Sequence, residues 1–372
     1  MIKKTSYFLT GYFPLFFSLA VCSGFGTFTA LVISGISILL MPELQTKKLM
    51  PYIISFIIIG CNSDNPLLTS VTFGLLLLIY SLFSDKLKKI FSESVNSGIM
   101  LAGALTATVL FTTNYFGIGA TGENVTEMVK SYISLGFHPN WRGVLYGTIV
   151  MVIMITFPRK FKSFNNYVSA PFIALIFTLI LNLFLNPSDM KTAITEIAEL
   201  NISGLNSFMK SNSDFGFSFT SVLCGIALFM LCASLLSDDK EISKKDCFII
   251  SGVNILSCGI LSLPLPYGIN KNKNTVIPRI IASLILFASF FIFRDTVARI
   301  PLHSCAVVII VTAWENVRWK DIKNSFSKFT EILLFVISFI ISMISDISIG
   351  IIISFIASVL LNSLNQKKGP AD

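Results

Sequence analysis

Residues 47–60 read Lys-Lys-Leu-Met-Pro-Tyr-Ile-Ile-Ser-Phe-Ile-Ile-Ile-Gly, an apolar run that is too short to cross a lipid bilayer. A membrane-crossing helix needs about 20 apolar residues. In the second half of the chain, residues 263–268 read Leu-Pro-Leu-Pro-Tyr-Gly and interrupt another apolar region. Two short segments, broken by proline or glycine at matching places in two halves, predict a binding site near the membrane midplane. The alternative is that these prolines only mark the ends of loops.

The composition places most of the chain in lipid. The chain has 372 residues, of which 53% are hydrophobic and 13% charged, and it contains 34 Phe. Because a soluble domain carries about 25% charged residues, this chain has too little polar surface for a water-exposed globule. The net charge of +8 comes from cations in short loops beside apolar runs. Since no basic stripe with interleaved aromatics occurs, we expect a bilayer partner and no nucleic acid.

About fourteen apolar segments follow one another along the chain. The Lys3-Lys4 start resembles a signal peptide, but the apolar region continues to Met41 without a convincing cleavage site, so we expect it to be retained. The predicted segments cover residues 8–22, 26–41, 50–60, 66–83, 97–116, 142–157, 167–186, 216–237, 247–263, 264–275, 276–293, 300–314, 329–345 and 346–363.

Lysines and arginines cluster in every second gap between these segments, which fixes a predicted orientation. The positive-inside rule then puts both termini in the cytoplasm of a plasma (inner) membrane protein. An odd number of spans per half inverts the second half, so we predict an all-α 7+7 inverted repeat. The predicted division is residues 1–187 for the first repeat, 188–213 for an extracytoplasmic loop, 214–365 for the second repeat and 366–372 for a cytoplasmic tail.

The candidate substrate site is built from the two short segments and the first span. Helices that begin inside the membrane direct unsatisfied N–H groups and positive dipole ends at one place, which suits an anion. The candidate substrate-binding residues are Ser18, Pro51, Tyr52, Ser55, Tyr267 and Gly268. For any hydroxyl among them, ordinary helix–helix bonding is the competing interpretation.

Other chemistry has little support in the sequence. No nucleophile triad, P-loop or zinc motif occurs, so we expect no enzyme activity, catalytic residue, metal or cofactor. The seven cysteines lack a CxxC spacing and resemble small buried hydrophobes. Among ionisable groups near the membrane, we expect Asp64 in a solvated loop, His303 in a structural hydrogen bond, and Arg279 snorkelling to the cytoplasmic face.

Several motifs together resemble the SulP sulfate permease and inorganic anion exchanger family. Residues 92–103 (SESVNSGIMLAG) are similar to the opening of its fifth span, and residues 114–117 (NYFG) to that span's continuation. Residues 251–257 (SGVNILS) resemble its Q-G-x-x-N-I-x-S-G motif. Residues 300–320, from Ile-Pro-Leu to Trp-Lys, resemble its I-P-L…A-W…W pattern, and residues 346–351 (DISIGI) resemble its last-span motif. The pieces run in family order from about residue 11 to 365.

The resemblance implies a core domain and a gate domain, substrate held between the starts of half-helices three and ten, and elevator-like movement. It also implies a homodimer. Several family features differ here: Leu15 and the residues after it replace a glutamine-containing motif behind Pro14, Phe229 stands where a span-eight glutamate is expected, and residues 263–269 shorten the span-ten motif. We expect the membrane domain alone, with no STAS domain.

The sequence thus favours a secondary transporter of a small inorganic or carboxylate anion, in the sulfate, bicarbonate, chloride and dicarboxylate class, working by alternating access. A scaffold or partner protein that kept the fold but lost transport is the first alternative. A nucleobase permease of the same plan is the second, although it would need a carboxylate in span eight or ten, and neither span has one.

Overall fold

The chain folds almost entirely into helices. The computed structural model describes residues 2–22, 34–44, 49–87, 92–122, 124–165, 167–185, 218–237, 244–256, 263, 265–266 and 276–367. Two strands of two residues, β1 (Glu43–Leu44) and β2 (Leu265–Pro266), pair in parallel. The helices are α1 (Ile2–Cys22), α2 (34–40), α3 (Met50–Ile57), α4 (Pro66–Leu87), α5 (Glu93–Phe116), α6 (Val125–Leu135), α7 (Trp141–Lys160), α8 (Lys162–Asn165), α9 (Ala170–Leu185), α10 (Phe219–Ser237), α11 (Lys244–Leu256), α12 (Val276–Val297), α13 (Leu302–Glu315), α14 (Trp319–Ser325), α15 (Phe329–Ile344) and α16 (Ile347–Lys367).

Length and composition identify an integral membrane protein. Among the described residues, 4 helices are long and apolar enough to cross a membrane by themselves, in α1, α5, α7 and α10. Shorter apolar helical stretches lie in α3, α4, α9, α12, α13, α15 and α16. Short apolar helices can reside in a bilayer because every helical backbone group is bonded within the helix, and protein neighbours cover the remaining polar ends.

The packing of the helices follows the pattern of an inverted repeat. If α1, α4, α5, α7 and α9 correspond to α10, α12, α13, α15 and α16, the contacts occur in matched pairs. Thus α5 packs on α15 as α13 packs on α7, α7 packs on α9 as α15 packs on α16, and α10 packs on α4 as α1 packs on α12. The equivalent helices α5 and α13 also pack on each other, where a pseudo-two-fold axis would pass.

Three helices, α6, α8 and α14, lie in gaps between the predicted segments and were not predicted. The helix α6 begins after Asn124, whose side-chain oxygen accepts a 2.9 Å hydrogen bond from the backbone N–H of Glu127. Positive φ angles of 68° at Gly117 and 72° at Gly136 end α5 and α6. Left-handed backbone is accessible to glycine, so these two residues separate α5, α6 and α7 into distinct elements.

The interior agrees with the predicted roles of the cysteines and of His303. Cys224, Cys232 and Cys305 are buried as free thiols. The ring of His303 is fully buried, and its Nδ1 lies 3.1 Å from the carbonyl oxygen of Tyr115. That contact joins the start of α13 to the end of α5, so His303 has a structural hydrogen bond as predicted.

Candidate functional site

The half-helix predicted from residues 50–60 is present and short. All 8 residues of α3 are buried, and Pro51 lies in the first turn, where its missing N–H costs nothing. A π-helical turn of 5 residues, Ile58–Asn62, continues α3 before the chain turns and α4 begins at Pro66. Together α3 and this turn extend about 20 Å, against about 30 Å for the hydrocarbon thickness of a bilayer. The segment therefore starts inside the bundle.

Two paired strands connect this half-helix with the second interrupted segment. In the ladder, Glu43 is opposite Leu265 and Leu44 is opposite Pro266. Strand β1 lies shortly before α3, and β2 lies within the Leu-Pro-Leu-Pro-Tyr-Gly stretch. The two interrupted regions therefore approach each other, as the site hypothesis requires. The predicted site residues Tyr267 and Gly268 themselves lie outside the described residues.

Tyr52 is the predicted site residue with the most distinctive environment. Its side chain is 1% exposed, and its hydroxyl has no hydrogen-bond partner among the described residues. The ring packs edge-on against Phe16 of α1, with centroids 5.8 Å apart. Helix α10, which carries the buried Cys232, packs on α3. A buried hydroxyl without a partner is unfavourable, and a bound solute could satisfy it.

The other two predicted hydroxyls, of Ser55 and Ser18, are also buried, but only that of Ser55 is hydrogen-bonded. Ser55 is 1% exposed and donates a 2.8 Å hydrogen bond to the carbonyl oxygen of Tyr52, one turn earlier. Ser18 is fully buried on α1, which packs on α13, and its hydroxyl, like that of Tyr52, has no hydrogen-bond partner among the described residues. Ser55 therefore still has lone pairs to offer but no free proton, and Ser18 faces the α1–α13 contact.

The start of α3 is less open than the sequence predicted. The backbone N–H of Leu49 donates a 3.1 Å hydrogen bond to the side-chain oxygen of Asn316, which follows α13. The amide nitrogen of Asn316 donates in turn to the carbonyl oxygen of Thr312, at 2.8 Å. Sequence reasoning missed Asn316 because the two residues are 267 positions apart. One of the N–H groups expected to face a solute is therefore already paired.

Arg279 does not snorkel, contrary to the prediction. Its Nε donates a 2.6 Å hydrogen bond to the carbonyl oxygen of Ile38, and one Nη donates to those of Leu39, at 3.2 Å, and Met41. The other Nη lies 3.6 Å from the carboxylate of Glu43, and the two side chains are only 14% and 10% exposed. The guanidinium thus caps the carboxyl end of α2, where unpaired carbonyls and the helix dipole attract a cation.

The remaining sequence predictions near the site have clear outcomes. Asp64 is exposed, as expected, and its carboxylate accepts a 2.7 Å hydrogen bond from the hydroxyl of Ser218. Phe229, at the position of the family's span-eight glutamate, packs edge-on against Tyr80 of α4 with ring centroids 5.7 Å apart. Helix α10, which packs on α3, therefore presents no carboxylate to it.

The fold is shared with solved anion transporters. The transmembrane domain of a cyanobacterium bicarbonate transporter, BicA, matches with a TM-score of 0.68 and 14% identity over 96% of each chain. The overall structure of SLC26A9 matches with a TM-score of 0.68 and 13% identity, over 98% of this chain and 65% of that one. The murine Solute Carrier 26 family member A9 anion transporter, in the inward-facing state, matches with a TM-score of 0.66 and 11% identity, over 98% of this chain and 68% of that one.

Comparison at the level of sequence finds no match. No protein-family model and no curated protein sequence matches the chain. At 11–14% identity the structural matches establish the architecture and not the chemistry. The chain has the all-helical membrane fold of these transporters, which the motif resemblance implied.

Proposed function

We propose that this protein is a SulP-like secondary transporter of a small anion that works by alternating access. The observation that carries the proposal is the short, buried half-helix α3, whose start is tied through β1 and β2 to a second interrupted segment. In transporters built from inverted repeats, discontinuous helices of this kind hold the solute near the midplane. The named structural neighbours with this fold are a bicarbonate transporter and an anion transporter.

The proposed binding residues are Ser18, Pro51, Tyr52 and Ser55, together with Tyr267 and Gly268. Within this set, the hydroxyl of Tyr52 would donate a hydrogen bond to the anion, and the positive end of the α3 dipole would stabilise its charge. Pro51 would start the half-helix at the correct depth. The first 187 residues and residues 214–365 would form the two repeats, with both termini in the cytoplasm of a plasma membrane protein and, as in the resembling family, a homodimer.

A difference between the two halves supports alternating access. The helix α1 packs closely along α13. The corresponding pair is α10 and α5, and between them lies a small cavity lined also by α16, with Asn96 and Ser234 on its wall. The hydroxyl of Ser234 donates a 2.7 Å hydrogen bond to the side-chain oxygen of Asn96 across it. Two halves that are equivalent in topology but differ in packing are what a one-sided opening produces.

Uptake into proteoliposomes tests the proposal. Purified protein would be given labelled chloride, bicarbonate, sulfate or a dicarboxylate, and we expect uptake of at least one above protein-free vesicles. Tyr52→Phe should lower uptake about tenfold, the usual effect of losing one hydrogen bond to a charged solute. The matched control is Tyr146→Phe, because Tyr146 is also buried with an unpartnered hydroxyl but lies on α7. Equal uptake by both variants would contradict the assigned site.

The first alternative, a transport-inactive scaffold, is favoured by two observations. Phe229 replaces the expected carboxylate, and Asn316 occupies part of the α3 start. Folded protein in vesicles that takes up none of the four anions would support it over transport. A uracil arm in the same assay tests the nucleobase permease, which lacks support because α10 carries no carboxylate.

A further inference from the structure

The connection between α7 and α9 concentrates positive charge in a stretch of sequence that contains no carboxylate. Arg159 and Lys160 end α7, and Lys162 begins the short helix α8. All three side chains are exposed, and none forms an ion pair with another described residue. The sequence contains no Asp or Glu between residues 128 and 188. The charged residues of this connection are therefore all basic.

Aromatic rings lie in the same place. The ring of Phe157 packs against those of Phe161 and Phe164, with centroids 5.2 Å and 6.0 Å away. Phe161 and Phe164 are nonetheless 56% and 53% exposed. The cations and rings together surround a shallow cavity of ≈ 440 Å³, which is lined by Arg159, Lys160, Phe161, Lys162, Ser163 and Phe164.

The position of this cavity selects its ligand. The 20-residue helix α7 is long and apolar enough to cross a membrane, so its end lies at the level of the lipid headgroups. Cations at this level attract anionic headgroups, and aromatic rings are favoured at the boundary between headgroups and acyl chains. The general preferences for cations and rings at this depth account for each separately, whereas here both line one concavity.

We propose that residues 159–164 bind the headgroup of an anionic phospholipid. The lipid phosphate contacts Arg159, Lys160 and Lys162, while Phe161 and Phe164 lie against the upper part of its acyl chains. A soluble phosphate would meet the same cations but would gain nothing from the rings. This site is separate from the proposed anion path, and it does not depend on transport.

Lipid titration of the detergent-solubilised full chain tests the site. Phosphatidylglycerol should raise the unfolding temperature, and phosphatidylcholine should not. In Arg159→Gln/Lys160→Gln/Lys162→Gln the apparent affinity for phosphatidylglycerol should fall about fivefold for each cation removed. The matched control is Lys244→Gln/Lys245→Gln, which removes two exposed cations from the start of α11 and should leave the affinity unchanged. Equal losses in both variants, or equal stabilisation by the two lipids, would overturn the proposal.

Two further measurements complete the test. The first distinguishes a lipid from a soluble phosphate, and the second distinguishes the contribution of the cations from that of the aromatic rings. Inorganic phosphate, at the same concentration of phosphate groups, should give no shift, and an equal shift would assign the cavity to a soluble anion instead. Phe161→Ala/Phe164→Ala keeps all three cations and should still weaken phosphatidylglycerol binding. Unchanged binding in that variant would refute the role assigned to the rings.

Discussion

Replacing the buried Arg279 with methionine should destabilise the protein more than the loss of an exposed cation such as Arg318. In the structure the guanidinium contacts four oxygens, from the carbonyls of Ile38, Leu39 and Met41 and from the carboxylate of Glu43. Arg279→Met would leave that carboxylate next to the carbonyl end of α2 with no cation between them. The like-signed partial charges would then repel, because nothing else described at this helix end is positive.

The expected cost follows from the burial of the pair. Removing one partner of a buried ion pair costs about 3–5 kcal/mol, and hydrogen bonds from a charged donor contribute about 1.5–3 kcal/mol each, although they do not add. Since the side chains retain 14% and 10% exposure, we expect the lower end, about 3 kcal/mol. Arg279→Met/Glu43→Gln removes the unpaired charge, so it should be more stable than Arg279→Met alone.

Thermal unfolding followed with a thiol-reactive dye measures this directly. Cys224, Cys232, Cys247 and Cys305 are buried and form no disulfide, so the dye reports their exposure as the fold opens. Arg318→Met is the control, because the Arg318–Asp321 pair is 3.4 Å apart but the arginine is 54% exposed. Such exposed pairs contribute about 0–1 kcal/mol. The capping argument is wrong if Arg279→Met and Arg318→Met have the same unfolding temperature. It is also wrong if the double variant unfolds at a lower temperature than Arg279→Met.

The remaining predictions concern packing, the half-helix and the bilayer. A Cβ at Gly143 would overlap the buried ring of His303, so Gly143→Ala should cost about 1–3 kcal/mol in thermal unfolding, whereas Gly252→Ala, with open space around it, should be neutral or slightly stabilising. Asn316→Leu would leave the N–H of Leu49 without its acceptor and should lower the free energy of unfolding by about 1–3 kcal/mol. Asn316→Asp keeps the acceptor and should lower it less. Equal losses of stability in the two variants would show that this hydrogen bond does not stabilise the fold. Trp141 is 67% exposed at the start of α7, so in a Trp314→Phe/Trp319→Phe background lipids brominated near the headgroup should quench its fluorescence more than aqueous iodide; the reverse order would remove Trp141 from the membrane boundary.

The features that the sequence predicted well depend on local physics. Apolar length identified the membrane helices, and the broken run at Met50-Pro51 identified α3, because a proline-led apolar segment of this length cannot span a bilayer. The inverted arrangement followed from counting spans between basic loops. The burial of the cysteines followed from their apolar surroundings in sequence.

The features that the sequence missed depend on partners far away in the chain. Arg279 was expected at the cytoplasmic face, because its own neighbours in sequence do not reveal the carbonyls of residues 38–41. Asn316 lies far from Leu49 in the sequence, and only the fold brings the two residues together. The helix α6 was missed for a different reason. Because it contains Glu127 and Lys130, the segment is not apolar enough to be predicted as a span. A short amphipathic helix can be predicted only when its capping residue, here Asn124, is recognised.

The distribution of charge around α3 limits which anion the proposed site can hold. Arg279 already faces four oxygens, and the carboxylate of Glu43 offsets its charge. Helix α10, which packs on α3, carries no charged residue, and among the described residues the start of α3 offers a helix dipole and the unpartnered hydroxyl of Tyr52. A doubly charged anion loses far more hydration energy on burial than a singly charged one, and a dipole worth about half an elementary charge offsets only the smaller loss. Chloride and bicarbonate should therefore be taken up ahead of sulfate and dicarboxylates, and the reverse order would require cations that the described part of the site does not contain.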